Sequence, residues 1–193
     1  AHVVTPRMHR QGAKQHVLKM MQRETLQAVM RNPPEPGHVY HLISNGQYDY
    51  WTWVPAMIEW MGVADQAWFS TWTLNRNNCN ELFTLIDAGR ILQVHFLTGL
   101  YFKRREATVY AMLLTGLHAR GFRYAATKNH AKIMLLGNAE RDMWIVCEGS
   151  ANFTANPRIE QSVITNDRAV FEFHRQWMQE IFDASERAAQ HSA

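Results

Sequence analysis

Residues 129–154, NHAKIMLLGNAERDMWIVCEGSANFT, constrain this chain more than any other stretch. Two apolar runs stand within it, 131–136 and 143–147, and each reads as a strand with polar residues at one end. His130 and Lys132 flank the first run, and Glu148-Gly149-Ser150-Ala151-Asn152 follows the second. Alternate residues of a strand share a face, so His130 and Lys132 are expected to point the same way. Polar side chains at strand ends commonly build the site of an α/β sheet. Imidazole, ammonium, hydroxyl and carboxamide at one sheet end are the groups needed to attack a phosphodiester and hold its negative oxygens.

The rest of the chain supplies a frame for such a sheet. Residues 13–31 read as a helix with Leu18, Met21, Thr25 and Val29 on one stripe. Asn32-Pro33-Pro34-Glu35-Pro36-Gly37 ends it, because proline lacks a donor and fixes its own φ. This break divides a basic helical arm with its Pro-rich linker, 1–36, from a core domain, 37–193. Strands are expected at 39–44, 66–73, 91–97, 122–126, 131–136, 143–147 and 160–165. Helices are expected at 50–61, 77–88, 106–119 and 168–189. The last carries Val170, Phe173, Trp177 and Ile181 at helical spacing. Alternation of this kind predicts an α/β fold, a mixed β-sheet flanked by helices on both faces. No internal repeat is present, so the 129–154 motif occurs once.

Composition narrows the classes. The chain has 193 residues, 47% of them hydrophobic, which suits an ordered domain with a full core. No apolar run approaches the roughly 18–20 residues that span a bilayer, and no signal-type apolar core stands at the start, so a cytoplasmic protein is expected. Cys79 and Cys147 sit among core-type neighbours and are expected as buried free thiols. No Cys or His spacing suggests zinc, and no metal or cofactor is expected. The heptad-spaced His2, His9 and His16 lack a carboxylate or cysteine to complete a metal site.

The net charge of +3 hides an asymmetry. Residues 1–31 carry Arg7, Arg10, Lys14, Lys19, Arg23 and Arg31 against Glu24 alone, a balance of +5, and the remainder carries −2. Lys14, Lys19 and Arg23 are therefore candidates to meet a polyanion, the alternative being a solvated helix face. Lys103-Arg104-Arg105 follows Tyr101-Phe102, a pairing of cations and aromatic rings that suits single-stranded nucleic acid; the alternative is a basic loop before a helix. Trp51, Trp53, Trp60, Trp68 and Trp72 read as an aromatic core cluster.

The two motifs together resemble the phospholipase D superfamily, whose pattern is His-x-Lys, four residues, Asp, then Gly-Ser-x-Asn. His130-Ala131-Lys132 and Gly149-Ser150-Ala151-Asn152 match it, and Phe153-Thr154 continues as in the family's small bacterial nucleases. The aspartate position is Gly137, with Asn138 and Asp142 nearby. The resemblance implies a phospholipase D-like domain over roughly 38–190. It implies that neutral His130 attacks phosphorus, that Glu160 supports its ring, and that Lys132 and Asn152 hold the non-bridging oxygens. Ser150 would donate a further hydrogen bond. With one motif copy, it implies a homodimer in which two His130 residues share one site, the second protonating the leaving oxygen. His41, His95 and His118 are the alternative proton donors within one chain.

Three readings follow. The first is a metal-independent phosphodiesterase, a nuclease acting on DNA or RNA through a phosphohistidine. The second keeps the chemistry with a phospholipid as substrate. The third, motivated by Gly137, is a non-catalytic nucleic-acid-binding protein on the same fold.

Overall fold

A computed structural model describes residues 14–154 and 157–191. Helix α1 (Lys14–Val29) stops short of the prolines, as expected. Its inward stripe lies one position from the expected one. Leu26 and Met30 are buried, whereas Met21 and Val29 are exposed. The side chains of Lys14, His16 and Leu18, with His2 and His9, lie outside the described residues.

Strand β1 (Val39–Ser44) is followed by a single 3₁₀ turn (Tyr50–Thr52) that Asp49 caps by accepting from Thr52 N, and by α2 (Trp53–Met61). The expected helix over 50–61 therefore opens as a tighter turn. Then come β2 (Gln66–Thr71), α3 (Arg76–Asp87), β3 (Val94–Gly99), the short α4 (Phe102–Arg105), α5 (Ala107–His118) and β4 (Arg123–Thr127). Strands β5 (Ile133–Asn138), β6 (Met143–Gly149) and β7 (Glu160–Asn166) precede α6 (Arg168–Gln190). Asp167 caps α6 by accepting from Ala169 N and Val170 N, a bond set worth about 1 kcal/mol.

The seven strands form one mixed sheet in the order β1-β7-β6-β5-β2-β3-β4. Strands β2, β3 and β4 run parallel, and the other pairs are antiparallel. Helices cover both faces. Leu26, Trp53, Met57, Ile58, Leu82, Leu113 and Leu117 from α1, α2, α3 and α5 fill the larger core. On the opposite face α6 alone packs Phe171, Met178 and Phe182 against Trp68, Leu97, Leu135 and Val146. The expected α6 stripe is again displaced by one: Phe173 is 65% exposed, while Phe171 is fully buried. Cys79 and Cys147 are buried free thiols.

This topology concentrates chain ends at one edge. The C-terminal ends of β2, β3, β4 and β6 and the N-terminal ends of β5 and β7 all meet there, because β5 pairs antiparallel with β2 and β6, and β7 antiparallel with β6. Crevices at strand ends are the usual sites of open α/β sheets.

Candidate active site

His130 and Lys132 do not lie on a strand. Strand β5 begins at Ile133, two residues later than expected, and 128–132 is irregular backbone carrying the chain from β4 to β5. Its polar groups are paired by residues from distant elements. Ser70 Oγ donates to Ala131 O at 3.1 Å. Asn129 Nδ2 donates to Ser70 Oγ at 2.9 Å, and Asn129 Oδ1 accepts from Ala131 N at 3.0 Å. Gly149 N donates to Lys132 O at 3.0 Å. Beneath the segment, the buried Tyr50 hydroxyl donates to Cys147 O at 3.0 Å, with Lys132 O at 3.3 Å. Burial holds that phenol well above its ordinary range, so it remains a donor.

The two motif side chains nevertheless meet. Lys132 Nζ lies 2.7 Å from His130 Nδ1 and 3.3 Å from Nε2. The lysine is 7% exposed and the histidine is on the surface. Burial lowers the Lys132 pKa, and the Glu160 carboxylate pulls it the other way.

The second motif begins at Gly149, the last residue of β6, and continues in irregular backbone beyond it, while Glu160 opens β7. Ser150 Oγ donates to Glu160 Oε2 and accepts from Gln161 N. Asn152 Oδ1 is buried and has no hydrogen-bond partner among the described residues. The backbone beyond it is fixed by fully buried Phe153, whose carbonyl accepts from Asn78 Nδ2 at 3.0 Å and Asn75 N at 3.2 Å. The motif side chains thus stand at one sheet end, with the contacts His130–Lys132 and Ser150–Glu160 made.

Gly137 has a structural cause. It pairs across the sheet with Trp144. A Cβ added there would lie 2.9 Å from Trp144 Cζ3 and 3.2 Å from Phe171 Cζ. The indole is held by Asp142, which accepts from Nε1 at 2.7 Å, and by Arg168, 4.9 Å from the ring centroid. Asn138 takes up hydrogen bonding at this end of β5, donating to Val63 O at 2.7 Å and accepting from Arg141 N at 2.9 Å.

An open cleft of about 600 Å³ adjoins His130, lined by Trp72, Leu100, Tyr101, Arg104, Lys128 and Asn129. Trp72 is therefore not a core residue, unlike Trp51 and Trp53, which are fully buried. Trp68 belongs to the α6 face, and Trp60 is partly buried against the larger core. Lys103, Arg104 and Arg105 lie on α4 rather than in a loop; Arg104 lines the cleft, Arg105 lies 5.1 Å over the Trp72 ring and Lys103 lies 5.7 Å over Tyr110. Lys19 and Arg23 instead meet acids of the same chain. Lys19 Nζ is 3.4 Å from Asp49 and 3.2 Å from Glu81, and Arg23 also pairs with Glu81.

Of the other histidines, His41 is exposed on edge strand β1, and His118 is exposed at the end of α5. His95 stacks on Trp68 at 3.6 Å on the α6 face, and burial, with Arg123 and Arg175, pushes its pKa down to about 4. A group so weakly basic makes a poor resting proton donor at neutral pH. Sequence reasoning missed Tyr50, Ser70 and Asn129 as supports. It also missed the Glu148–His174 pair at 3.2 Å, which joins β6 to α6 and holds the glutamate below its ordinary range.

No protein-family model matches this sequence, and a comparison with curated proteins finds no match either. Solved structures do match. Nuc from Salmonella typhimurium, a phospholipase D family member, superposes with TM-score 0.57 at 16% identity, over 76% of this chain and 94% of its own. NucT from Helicobacter pylori gives 0.54 at 11% identity, over 76% and 97%. TrmBL2, an archaeal chromatin protein with a novel mode of DNA binding, gives 0.55 at 13% identity, over 89% and 60%. At the level of fold, the chain is similar to these structures, among them a phospholipase D family member.

Proposed function

We infer that this chain is a metal-independent phosphodiesterase that cleaves nucleic acid through a covalent phosphohistidine. The observation that carries the reading is the 2.7 Å contact between Lys132 Nζ and His130 Nδ1. A nucleophile and a cation for the phosphoryl oxygens stand together at the end of the sheet. Phosphate entering the site draws the ammonium onto its non-bridging oxygens and releases the ring. A ring nitrogen of His130 then forms a bond to phosphorus as the bond to the leaving oxygen breaks. That oxygen takes its proton from the protonated His130 of a second copy, across a two-fold axis; the imidazole so deprotonated then takes a proton from the water that attacks phosphorus, the bond from phosphorus to the first histidine breaks, and both rings return to their starting forms. Surface exposure of His130 leaves it open to such a copy. The unpartnered Asn152 Oδ1 belongs to a carboxamide that can turn its amide donors to the phosphate.

The test is incubation of plasmid and single-stranded DNA in EDTA with the unsubstituted protein and with His130→Ala. Cleavage lost in the variant supports the reading; cleavage that requires added magnesium overturns it. Sedimentation supports the shared site if it finds a dimer, and a stable active monomer refutes it.

One observation favours a second reading. Trp144 occupies the place of the motif aspartate's side chain, as expected if the fold served binding without turnover. DNA binding retained without a trappable phosphohistidine would establish it.

A further inference from the structure

The cleft beside His130 has a wall that phosphodiester chemistry does not use. Trp72 and Tyr101 present aromatic surface there, next to Arg104 and Lys128. Tyr101 is 63% exposed, whereas the adjacent Phe102 is 1% exposed and packs edge-on to Tyr110. Buried Phe102 anchors the short helix, and the anchor holds Tyr101 at the lip of the cleft.

Trp72 is equally constrained. A Cβ on Gly99 would lie 2.4 Å from Trp72 Cδ1 and 3.0 Å from Asn129 O. Contacts that close do not occur, so the indole can lie at the end of β3 only because position 99 is glycine. The Arg105 guanidinium covers one part of the ring, and the His130 ring centroid is 6.0 Å away. Aromatic faces beside a row of cations fit an occupant that is flat, apolar on its faces and attached to a chain of phosphates.

We propose that Trp72 and Tyr101 form a stacking subsite for an unpaired nucleobase next to the phosphate at His130, so that the substrate is single-stranded nucleic acid. A base inside a duplex has both faces covered by its neighbours and cannot stack on these rings. A phospholipid would use one phosphate contact and leave the flat ring faces of Trp72 and Tyr101 without an occupant to stack on them. The inference rests on the phosphodiesterase reading for the position of the phosphate.

The experiment measures binding in EDTA with the His130→Ala protein, which cannot form the covalent intermediate. The probes are a fluorescein-labelled twelve-nucleotide thymidine strand, the same length of sugar-phosphate without bases, and the strand annealed to its complement. The based single strand is expected to bind about tenfold tighter than the base-free strand, which carries equal charge. Adding Tyr101→Ala is expected to bring that ratio close to one, and Tyr101→Phe to preserve it. Equal affinity for based and base-free strands, or tighter binding of the duplex, overturns the subsite. So does displacement of the strand by phosphatidylglycerol vesicles with no base preference. Base-dependent binding by the variant, with no cleavage by the unsubstituted protein, keeps the subsite and overturns the phosphodiesterase reading; cleavage by the unsubstituted protein with base-independent binding by the variant does the reverse.

Discussion

Trp144 stands across the sheet from Gly137 and fills the space that a side chain on Gly137 would need. The space beside position 137 is thus filled by an aromatic plug, with Phe171 of α6 at its edge. Restoring the motif should harm the protein. Gly137→Asp is expected to lose about 1–3 kcal/mol or more of stability from overpacking, read by urea unfolding, without a gain in cleavage rate. A faster variant of unchanged stability would contradict the packing argument.

Lys132 is placed to act as a cation, so its removal should cost turnover more than folding. Lys132→Met is expected to lower kcat about a hundred- to a thousandfold, as for loss of a preorganised donor. The ammonium is the active form and exists below its pKa, which burial depresses. The cleavage rate should therefore fall on the alkaline side at a pH below the ordinary lysine range. A profile flat to the lysine range would remove Lys132 from the reaction.

Tyr50 supports the site from below. Tyr50→Phe deletes the hydroxyl that bonds Cys147 O at 3.0 Å, and should cost about 0.5–1.5 kcal/mol. The Lys132 carbonyl loses a neighbour in the same change, so kcat is expected to fall severalfold. Urea unfolding and initial rates on the same preparation check both.

His95 should make the fold acid-sensitive. Its folded pKa of about 4 lies below the unfolded value, which is about 6.5. Between these limits the unfolded chain binds a proton that the folded chain refuses. Its contribution is complete above about pH 6.5 and is lost as pH falls toward 4. His95→Phe, which keeps a ring against Trp68, should flatten the melting temperature over this window. An unchanged slope would show that other groups dominate.

Strand order along the chain was legible because apolar runs and glycine or proline breaks are local signals. β1 has the expected bounds, and β2, β4, β5, β6 and β7 fall within a few residues of theirs. Helix faces were less legible. In α1 and α6 the apolar side chains span a broad arc, so periodicity alone did not separate Phe171 from Phe173 or Leu26 from Val29. The site followed the same division. His130, Lys132, Ser150 and Asn152 lie close together in sequence, so they read as a pair of motifs without any knowledge of the sheet. Trp72, Ser70 and Tyr50 come from other stretches far along the chain; register pairs Ser70 with Ile133, and tertiary packing brings Trp72 and Tyr50 to the same place. Lys19 and Arg23 looked free because Glu81 and Asp49 lie far along the chain.

The pairing of β1 with β7 has a consequence for biosynthesis. Val39 finds its partner at Thr165, more than a hundred residues downstream. As the polypeptide emerges, β1 stays without its β7 ladder until the sequence through Thr165 has been translated. Closure over that span is slow, and until it happens the apolar side chains of β1 stand open to neighbouring nascent molecules.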